Sequence, residues 1–219
     1  MTAPYYEGDG VTLYLGDCLE VTEWLSADVL VTDPPYGMGY QSGYRMVTHA
    51  PVVGDGDTAA RDAALGQWGD IRPALVFGTW RAPRPDGVRA VCVWDKTDGT
   101  GPGMGDLSLP FGTSHEEFYV LGKWLSRGRR SGSVVRSSVA MGNPHGVVSS
   151  AGHPTAKPVP LLERLIESCP PGVIADPFAG SGSTLVAARN LGRKAIGVEI
   201  EEKYCEIIAR RLDQAVLPL

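Results

Sequence analysis

The C-terminal third of the chain carries the pattern that most restricts its fold. Residues 172–176 form a short apolar segment that predicts a strand, and the segment runs into a turn containing Gly180 and Gly182. Helical spacing of apolar positions follows over residues 183–191, a strand pattern over 194–199, and an amphipathic helix pattern over 201–215. Strands that alternate with helices in this way predict a parallel sheet that binds ligands at the carboxyl ends of its strands.

The rest of the chain extends this architecture. Strand patterns occupy residues 11–15, 28–32, 74–78, 88–94 and 117–121, and helix patterns occupy 18–25, 59–68 and 160–168. A length of 219 residues with 43% hydrophobic content suits one compact core. We therefore predict a single α/β domain over residues 1–219, built on a doubly wound, mostly parallel sheet. Residues 37–57 lack periodicity and predict a long functional loop.

The charge distribution is uneven. A net charge of −5 argues against a polyanionic partner if charge is spread evenly, but no acidic residue occurs between Glu117 and Glu163. That span contains six basic residues, Lys123, Arg127, Arg129, Arg130, Arg136 and Lys157. A basic face of this kind favours nucleic acid as a partner, and a solvated basic loop is the alternative.

Several classes of protein are disfavoured. No long apolar run predicts a membrane span, and the first ten residues do not have the pattern of a secretory signal. The four cysteines are scattered, with no spacing typical of a zinc site or a disulfide framework, so we predict no metal and reduced thiols. These features indicate a cytoplasmic protein.

The glycine turn at residues 176–184 predicts a cofactor site, because glycines between a strand and a helix allow close approach of a ligand. A phosphate-binding loop would need a lysine that is absent, and a dinucleotide fingerprint would need a third small residue. S-adenosylmethionine fits better, since Glu199 ends the next strand and can accept hydrogen bonds from both hydroxyls of a ribose. A packing turn beside a solvated glutamate is the alternative.

The segment Asp33-Pro34-Pro35-Tyr36 predicts the chemistry. It follows a strand as a stiff turn, so its carboxylate, carbonyls and ring are held in fixed relation. An exocyclic base amine is a poor nucleophile, and hydrogen bonds to Asp33 and to the carbonyl of Pro34 would localise its lone pair. Tyr36 would stack on a base turned out of the duplex, and direct methyl transfer would need mainly positioning.

Three motifs in this order resemble the amino-group DNA methyltransferases, which modify adenine N6 or cytosine N4. They are residues 32–37 (Thr-Asp-Pro-Pro-Tyr-Gly), 153–158 (His-Pro-Thr-Ala-Lys-Pro) and 176–184 (Asp-Pro-Phe-Ala-Gly-Ser-Gly-Ser-Thr). Because the catalytic motif precedes the cofactor loop, the chain is similar to the permuted β class, in a Rossmann-like methyltransferase fold. The resemblance covers nearly the whole chain.

The resemblance implies roles for particular residues. Asp33, Pro34, Pro35 and Tyr36 would form the catalytic set. The cofactor site would comprise Asp17, Cys18, Asp33, Thr155, Lys157, Asp176, Phe178, Ala179, Gly180, Ser181, Gly182, Thr184, Glu199 and Ile200. Double-stranded DNA would contact Lys123, Arg127, Arg129, Arg130 and Arg136, mainly through phosphates. Loops 37–57 and 125–152 would recognise the target in a restriction-modification setting.

Asp33 at the head of the catalytic motif favours adenine, and N4-cytosine is the first alternative. Cytosine-C5 methylation would need a Pro-Cys nucleophile, whereas the chain has only the reverse order, Cys169-Pro170. RNA or protein-glutamine methylation usually accompanies an Asn-Pro-Pro-Tyr motif. A non-catalytic DNA-binding decoy is the alternative of another class, and a homodimer is left open.

Overall fold

The structure is a computed structural model of the chain, and it describes residues 2–37, 56–97, 99, 101, 103, 107–124, 131–137 and 156–214. In chain order the strands are β1 (Tyr6–Gly8), β2 (Val11–Leu15), β3 (Val29–Thr32), β4 (Ala74–Gly78), β5 (Ala90–Asp95), β6 (His115–Leu121), β7 (Val134–Arg136), β8 (Ile174–Asp176) and β9 (Ala195–Glu199). The helices are α1 (Ala59–Trp68), α2 (Val159–Glu167), α3 (Ser183–Asn190) and α4 (Glu202–Asp213), with a 3-10 turn at Glu23–Ser26.

The nine strands form one sheet in the order β1-β2-β9-β8-β3-β4-β6-β5-β7. Strands β2, β9, β8, β3 and β4 run parallel to one another, whereas β1 is antiparallel to β2 and β6 is antiparallel to both β4 and β5. Because β6 runs in the opposite direction, its amino end lies beside the carboxyl ends of the parallel strands. The predicted doubly wound, mostly parallel sheet is confirmed.

Alternate residues of the central strands feed two separate cores. On β3, Val29 and Val31 belong to the core that contains the apolar faces of α2, α3 and α4, while Leu30 belongs to the other. The second core contains the 3-10 turn and α1, where the rings of Trp24 and Trp68 stack with centroids 5.8 Å apart. Both faces of the sheet are therefore covered, which explains why the central strands are apolar throughout rather than alternating.

The predicted elements agree closely with the structure in the parallel part of the sheet. Strands at 11–15 and 74–78 and the helix at 59–68 have the expected bounds. The helix expected at 18–25 is wrong, because only Glu23–Ser26 form a helical turn, of the 3-10 type. The three-residue strands β1 and β7 were not predicted, since three residues are too few to show a periodicity.

No helix in the described part of the chain combines the length and the apolar character needed to cross a membrane. The four cysteines, all of which are described, are free thiols.

Candidate active site

A cavity of about 480 Å³ lies where the parallel strands end. Residues that follow β2, β3, β4 and β8 line it, together with the last residue of β9 and the first residues of β6. The backbone N–H of Gly16, after β2, donates to the carbonyl of Glu199 over 2.9 Å and joins two of these strand ends. The cavity therefore occupies the edge of the sheet at which the sequence predicted ligand binding.

The predicted catalytic segment lies in this cavity. All four of its residues, Asp33, Pro34, Pro35 and Tyr36, line the wall. The Tyr36 hydroxyl donates to Oδ1 of Asp33, and burial followed by the nearby Asp33 charge raises the pKa of Tyr36 well above its usual value. Tyr36 therefore stays protonated and serves as a hydrogen-bond donor to Asp33.

The ammonium of Lys157 contacts the second carboxylate oxygen of Asp33. Its Nζ lies 2.5 Å from Oδ2, and the side chain is only 7% exposed. Burial by itself would lower the pKa of Lys157, but the charges of Asp33 and Glu116 raise it well above its usual value. Lys157 is thus a buried ammonium ion held by carboxylates, and it was expected only to flank the cofactor and to add to the basic surface.

Glu116, near the start of β6, is the site residue that the sequence did not predict. Its Oε2 lies 3.3 Å from Nζ of Lys157, and its Oε1 accepts a hydrogen bond from Lys96 over 3.2 Å. Burial acts to raise the pKa of Glu116, but the two lysines outweigh burial and the pKa is lowered. No local motif marks Glu116, because it reaches the cavity only through the antiparallel direction of β6.

Asp176 ties two neighbouring strand ends together. Its Oδ1 accepts hydrogen bonds from the Thr32 hydroxyl over 2.7 Å and from the backbone N–H of Phe178 over 3.2 Å. Burial raises the pKa of Asp176 to about 6, although these hydrogen bonds act in the opposite direction. The contact fixes the end of β8 against the end of β3, and so holds the glycine turn beside Asp33.

Glu199 forms the other buried acid of the cavity. Its two carboxylate oxygens accept hydrogen bonds from the backbone N–H groups of Gly180, over 2.7 Å, and Glu201, over 2.9 Å. Burial raises the pKa of Glu199 to about 7 despite these bonds. A buried carboxylate that can still accept hydrogen bonds suits a diol, whose hydroxyl donors would favour the ionised form.

The remaining cofactor residues predicted from the sequence are placed as follows. Those that line the cavity are Asp17, Cys18, Asp176, Phe178, Ala179, Gly180, Ser181, Thr184, Glu199 and Ile200. Gly182 does not line it: its φ is +76°, and a Cβ there would meet Cγ1 of Ile208 at 2.7 Å, so Gly182 allows α4 to pack against the turn. Thr155 lies outside the described residues.

Of the six basic residues of the expected basic face, the structure describes Lys123, Arg136 and Lys157. Lys157 is buried in the cavity. Lys123 follows β6 at the end of the sheet opposite the cavity, where its backbone N–H donates to the carbonyl of Ile71, ahead of β4. Lys123 is thus roughly 20 Å along the strands from the cavity. Arg136 ends β7 beside Asp95, at the cavity's edge of the sheet, and is 66% exposed. Residues Arg127, Arg129 and Arg130 and most of loops 37–57 and 125–152 lie outside the described residues.

The cavity has the features that an adenosine-containing sulfonium cofactor and a planar base require. Its volume falls within the range of small-molecule sites. Its walls include the exposed side chain of Ile200 and the side chain of Phe178, together with the carboxylates of Asp33 and Glu199. Glu199 lies at the glycine turn, while Asp33 and Tyr36 lie at the neighbouring strand end. These residues fit S-adenosylmethionine beside an amine that accepts its methyl group.

Comparison of the sequence with known proteins finds similarity to DNA methylases. A model of the N6_N4_Mtase family, described as DNA methylase, matches residues 93–210. The putative methylase YubD of Escherichia coli (strain K12) is 30% identical over 212 residues, which cover 90% of this chain and 88% of YubD.

Two other relatives match over a short segment. Type II methyltransferase M.ScaI of Streptomyces caespitosus is 43% identical over 77 residues, which are 34% of this chain and 25% of that protein. DNA adenine methyltransferase YhdJ of Escherichia coli (strain K12) is 49% identical over 65 residues, 29% of this chain and 22% of YhdJ. The chain therefore aligns with only about a quarter of each of these two proteins.

Solved structures share the fold. The complex of M1.HpyAVI with SAM superposes with a TM-score of 0.65 at 20% identity and covers 93% of this chain and all of that one. The cytosine-N4-specific PvuII DNA methyltransferase gives a TM-score of 0.62 at 15% identity over 99% of this chain and 91% of its own. At these identities the likeness shows a common methyltransferase fold.

Proposed function

The chain belongs to the N6_N4_Mtase family of DNA methylases, and on that premise we propose that it transfers a methyl group from S-adenosylmethionine to the exocyclic N6 of adenine in double-stranded DNA. One observation carries the proposal: the Asp33 carboxylate, held by Tyr36, shares a cavity with the buried Glu199 carboxylate at the glycine turn. The Asp33 carboxylate suits an amine that accepts the methyl group, and the Glu199 carboxylate suits a ribose.

The chain's own residues supply positioning and charge. Asp33 and the carbonyl of Pro34 accept hydrogen bonds from the base amine and localise its lone pair, while the Tyr36 ring stacks on the base after it leaves the duplex. S-adenosylmethionine, held at the glycine turn and Glu199, would supply a methyl group on a cationic sulfur; the bond from the methyl carbon to nitrogen would form as its bond to sulfur breaks, and the sulfur would leave as a neutral thioether. The Asp33 carboxylate accepts the proton that the nitrogen then loses, and passes it to water.

Adenine is favoured over cytosine by two observations. Aspartate heads the Pro-Pro-Tyr segment, and the short match to YhdJ, a DNA adenine methyltransferase, is 49% identical. The cytosine-N4-specific PvuII enzyme shares the fold at 15% identity, which carries no preference for its base. N4-cytosine methylation is accordingly the second candidate.

We place the whole activity in one methyltransferase domain over residues 1–219. Loops 37–57 and 125–152 recognise the DNA target; Tyr36, just before the first loop, and Ala156, shortly after the second, line the cavity. The cofactor contacts come from the residues listed above that line the cavity, with Thr155 added from the sequence motif.

The product base tests the proposed function. Purified protein is incubated with tritiated S-adenosylmethionine and unmethylated plasmid DNA, and the DNA is digested to nucleosides for chromatography. We expect label in N6-methyl-2′-deoxyadenosine. Label in N4-methyl-2′-deoxycytidine would replace the adenine assignment with the second candidate, and DNA binding without label would make the chain a non-catalytic decoy.

Cofactor affinity should depend on pH through Glu199. Its pKa of about 7 lies above the ordinary 4.5, so the ligand-free folded protein holds a proton that the unfolded chain has released. Ribose hydroxyls donate to the ionised form, so binding of S-adenosylmethionine should tighten as the pH rises through about 7 and then level off. Isothermal titration calorimetry from about pH 6 to about pH 8 measures this effect.

The matched variant for this measurement is Glu199→Gln, which keeps the shape of the side chain and loses the titration. We expect affinity to fall by roughly tenfold, since a hydrogen bond to a charged group is worth more than one to an amide. The rise in affinity near neutral pH should disappear. An undiminished rise in Glu199→Gln would assign the titration to another group.

Arg136 and Lys123 provide a test residue and its control for the DNA surface. Arg136 lies at the end of the sheet that carries the cavity, and Lys123 lies at the opposite end. Arg136→Ala should reduce the slope of log affinity against log salt concentration by about one, as expected for the loss of one phosphate contact. Lys123→Ala should leave the slope unchanged. Fluorescence anisotropy with labelled duplex measures both, and equal slopes for the two variants would contradict this placement.

A further inference from the structure

Both oxygens of the Asp33 carboxylate are already engaged. The Tyr36 hydroxyl donates to Oδ1, and the Lys157 ammonium donates to Oδ2 over 2.5 Å. A base amine that hydrogen-bonds to Asp33 therefore competes with a donor already in place. Lys157 is the donor with an alternative partner of opposite charge, because Glu116 stands on its other side.

Glu116 is placed to receive this ammonium. Its Oε2 is buried and lies 3.3 Å from Nζ of Lys157. This contact is a looser ion pair than the 2.5 Å contact between Lys157 and Asp33. Lys96 contacts the other oxygen, Oε1, over 3.2 Å and orients the carboxylate. A short movement of Lys157 away from Asp33 would shorten its contact with Oε2.

We propose that Glu116 is a positioning residue, which holds Lys157 beside Asp33 and takes over its ammonium when the target amine binds Asp33. This inference rests on the proposed function, because it requires that an amine bind Asp33. It explains why a carboxylate from the antiparallel strand β6 lies within the cavity. It also makes Lys157 a counter-ion shared by two acids rather than a cofactor contact alone.

The charged groups that face Lys157 determine how removal of its ammonium would affect the protonation of Asp33 and Glu116. Asp33 and the protonated Tyr36 face it from the segment after β3, and Glu116 faces it from β6. Lys96 contacts only the far oxygen of Glu116, and Asp176 lies on β8 beyond Asp33. Without Lys157, Asp33 and Glu116 would be two neighbouring, partly buried carboxylates with no cation between them. Two such groups resist joint ionisation, so one of them would keep a proton to higher pH.

The test compares pH profiles of kcat/KM for four proteins: wild type, Lys157→Met, Glu116→Gln and the double variant. Asp33 must be ionised to accept the amine, so Lys157→Met should move the acidic limb of the profile to higher pH by about one unit or more. Adding Glu116→Gln removes the second carboxylate and should return the limb toward its wild-type position. The rescue is specific to charge, since a structural role for either residue would make the double variant at least as defective as the worse single variant.

Glu116→Gln alone gives an independent readout. Lys157 then loses its alternative partner and stays on Asp33, so KM for DNA should rise by roughly tenfold with a smaller change in kcat. The matched control is the exposed pair Glu206 and Arg210 on α4, which lie 3.0 Å apart outside the cavity. Glu206→Gln with Arg210→Met should leave both the pH profile and the KM for DNA unchanged.

Thermal unfolding as a function of pH keeps the inference testable if Lys157→Met is inactive. A carboxyl whose pKa is raised in the folded state binds a proton more readily there than in the unfolded chain, so the variant should gain stability relative to wild type as the pH falls. The double variant should lose that difference from wild type.

Wild type is assayed first in the same series. A wild-type protein that transfers no methyl group to DNA overturns the proposed function. Active wild type with an unshifted acidic limb in Lys157→Met, or with no rescue in the double variant, overturns only the role of Glu116. A shifted limb that the second substitution restores supports it.

Discussion

Replacement of Asp33 by alanine should lower kcat for DNA methylation by about a hundredfold to a thousandfold, the loss typical when one polar group of a preorganised site is removed. Alanine cannot accept the hydrogen bond that localises the lone pair of the amine, nor the proton that the nitrogen loses. The fold should survive, because Lys157 keeps Glu116 as a partner 3.3 Å away. Single-turnover transfer from tritiated cofactor measures the chemical step directly.

The control for Asp33→Ala is Asp70→Ala, since Asp70 is an exposed aspartate between α1 and β4 that does not line the cavity. Asp70→Ala should retain wild-type kcat. Both variants should bind S-adenosylmethionine, as measured by calorimetry, which separates lost chemistry from lost cofactor. If Asp33→Ala retained most of the wild-type rate, the acceptor role of this carboxylate would be wrong and another wall of the cavity would hold the amine.

Replacement of Gly182 by alanine should produce a large loss of stability. The residue has a φ of +76°, and a Cβ would meet Cγ1 of Ile208, in the buried face of α4, at 2.7 Å. The left-handed backbone costs about 1–2 kcal/mol for a residue with a Cβ, and the forced shift of Ile208 adds about 1–3 kcal/mol. In a domain of this size, each kcal/mol lowers Tm by about 2–4 °C.

Gly66→Ala is the matched glycine substitution. Gly66 lies within α1, and a Cβ there would meet nothing within 4 Å. Alanine should raise stability by about 0.5–1 kcal/mol, since glycine is unfavourable within a helix. Differential scanning calorimetry of the two variants should therefore give shifts of opposite sign. An unchanged or raised Tm for Gly182→Ala would show that the glycine turn has no special requirement at Gly182.

The parallel core could be predicted from sequence because its signals are local. A β-branched run such as residues 28–32 can satisfy its backbone only in a sheet and its side chains only under cover on both faces. The stiff Asp-Pro-Pro-Tyr segment and the glycine turn follow such runs directly, so their place at strand ends follows from the chain itself. All four residues of the first segment line the cavity, as does Glu199.

The antiparallel part of the site was not predictable in the same way. Residues 117–121 were expected to form a strand, but apolar periodicity has no direction, so nothing indicated that the amino end of β6 would lie at the cavity. Glu116 enters the site only through that reversal, whereas Lys96 follows β5, which runs in the same direction as β4. The same reversal carries Lys123 to the far edge of the sheet, away from the expected DNA surface.

The sequence by itself therefore determined the class of fold, the catalytic segment and the cofactor turn, because each depends on residues that are neighbours along the chain. Only the tertiary structure decided which charges meet. Lys157 is 124 residues from Asp33 in sequence, yet its ammonium lies 2.5 Å from that carboxylate and 3.3 Å from Glu116. The energy of a charge depends on distance and burial, and both are set by the order and direction of the strands.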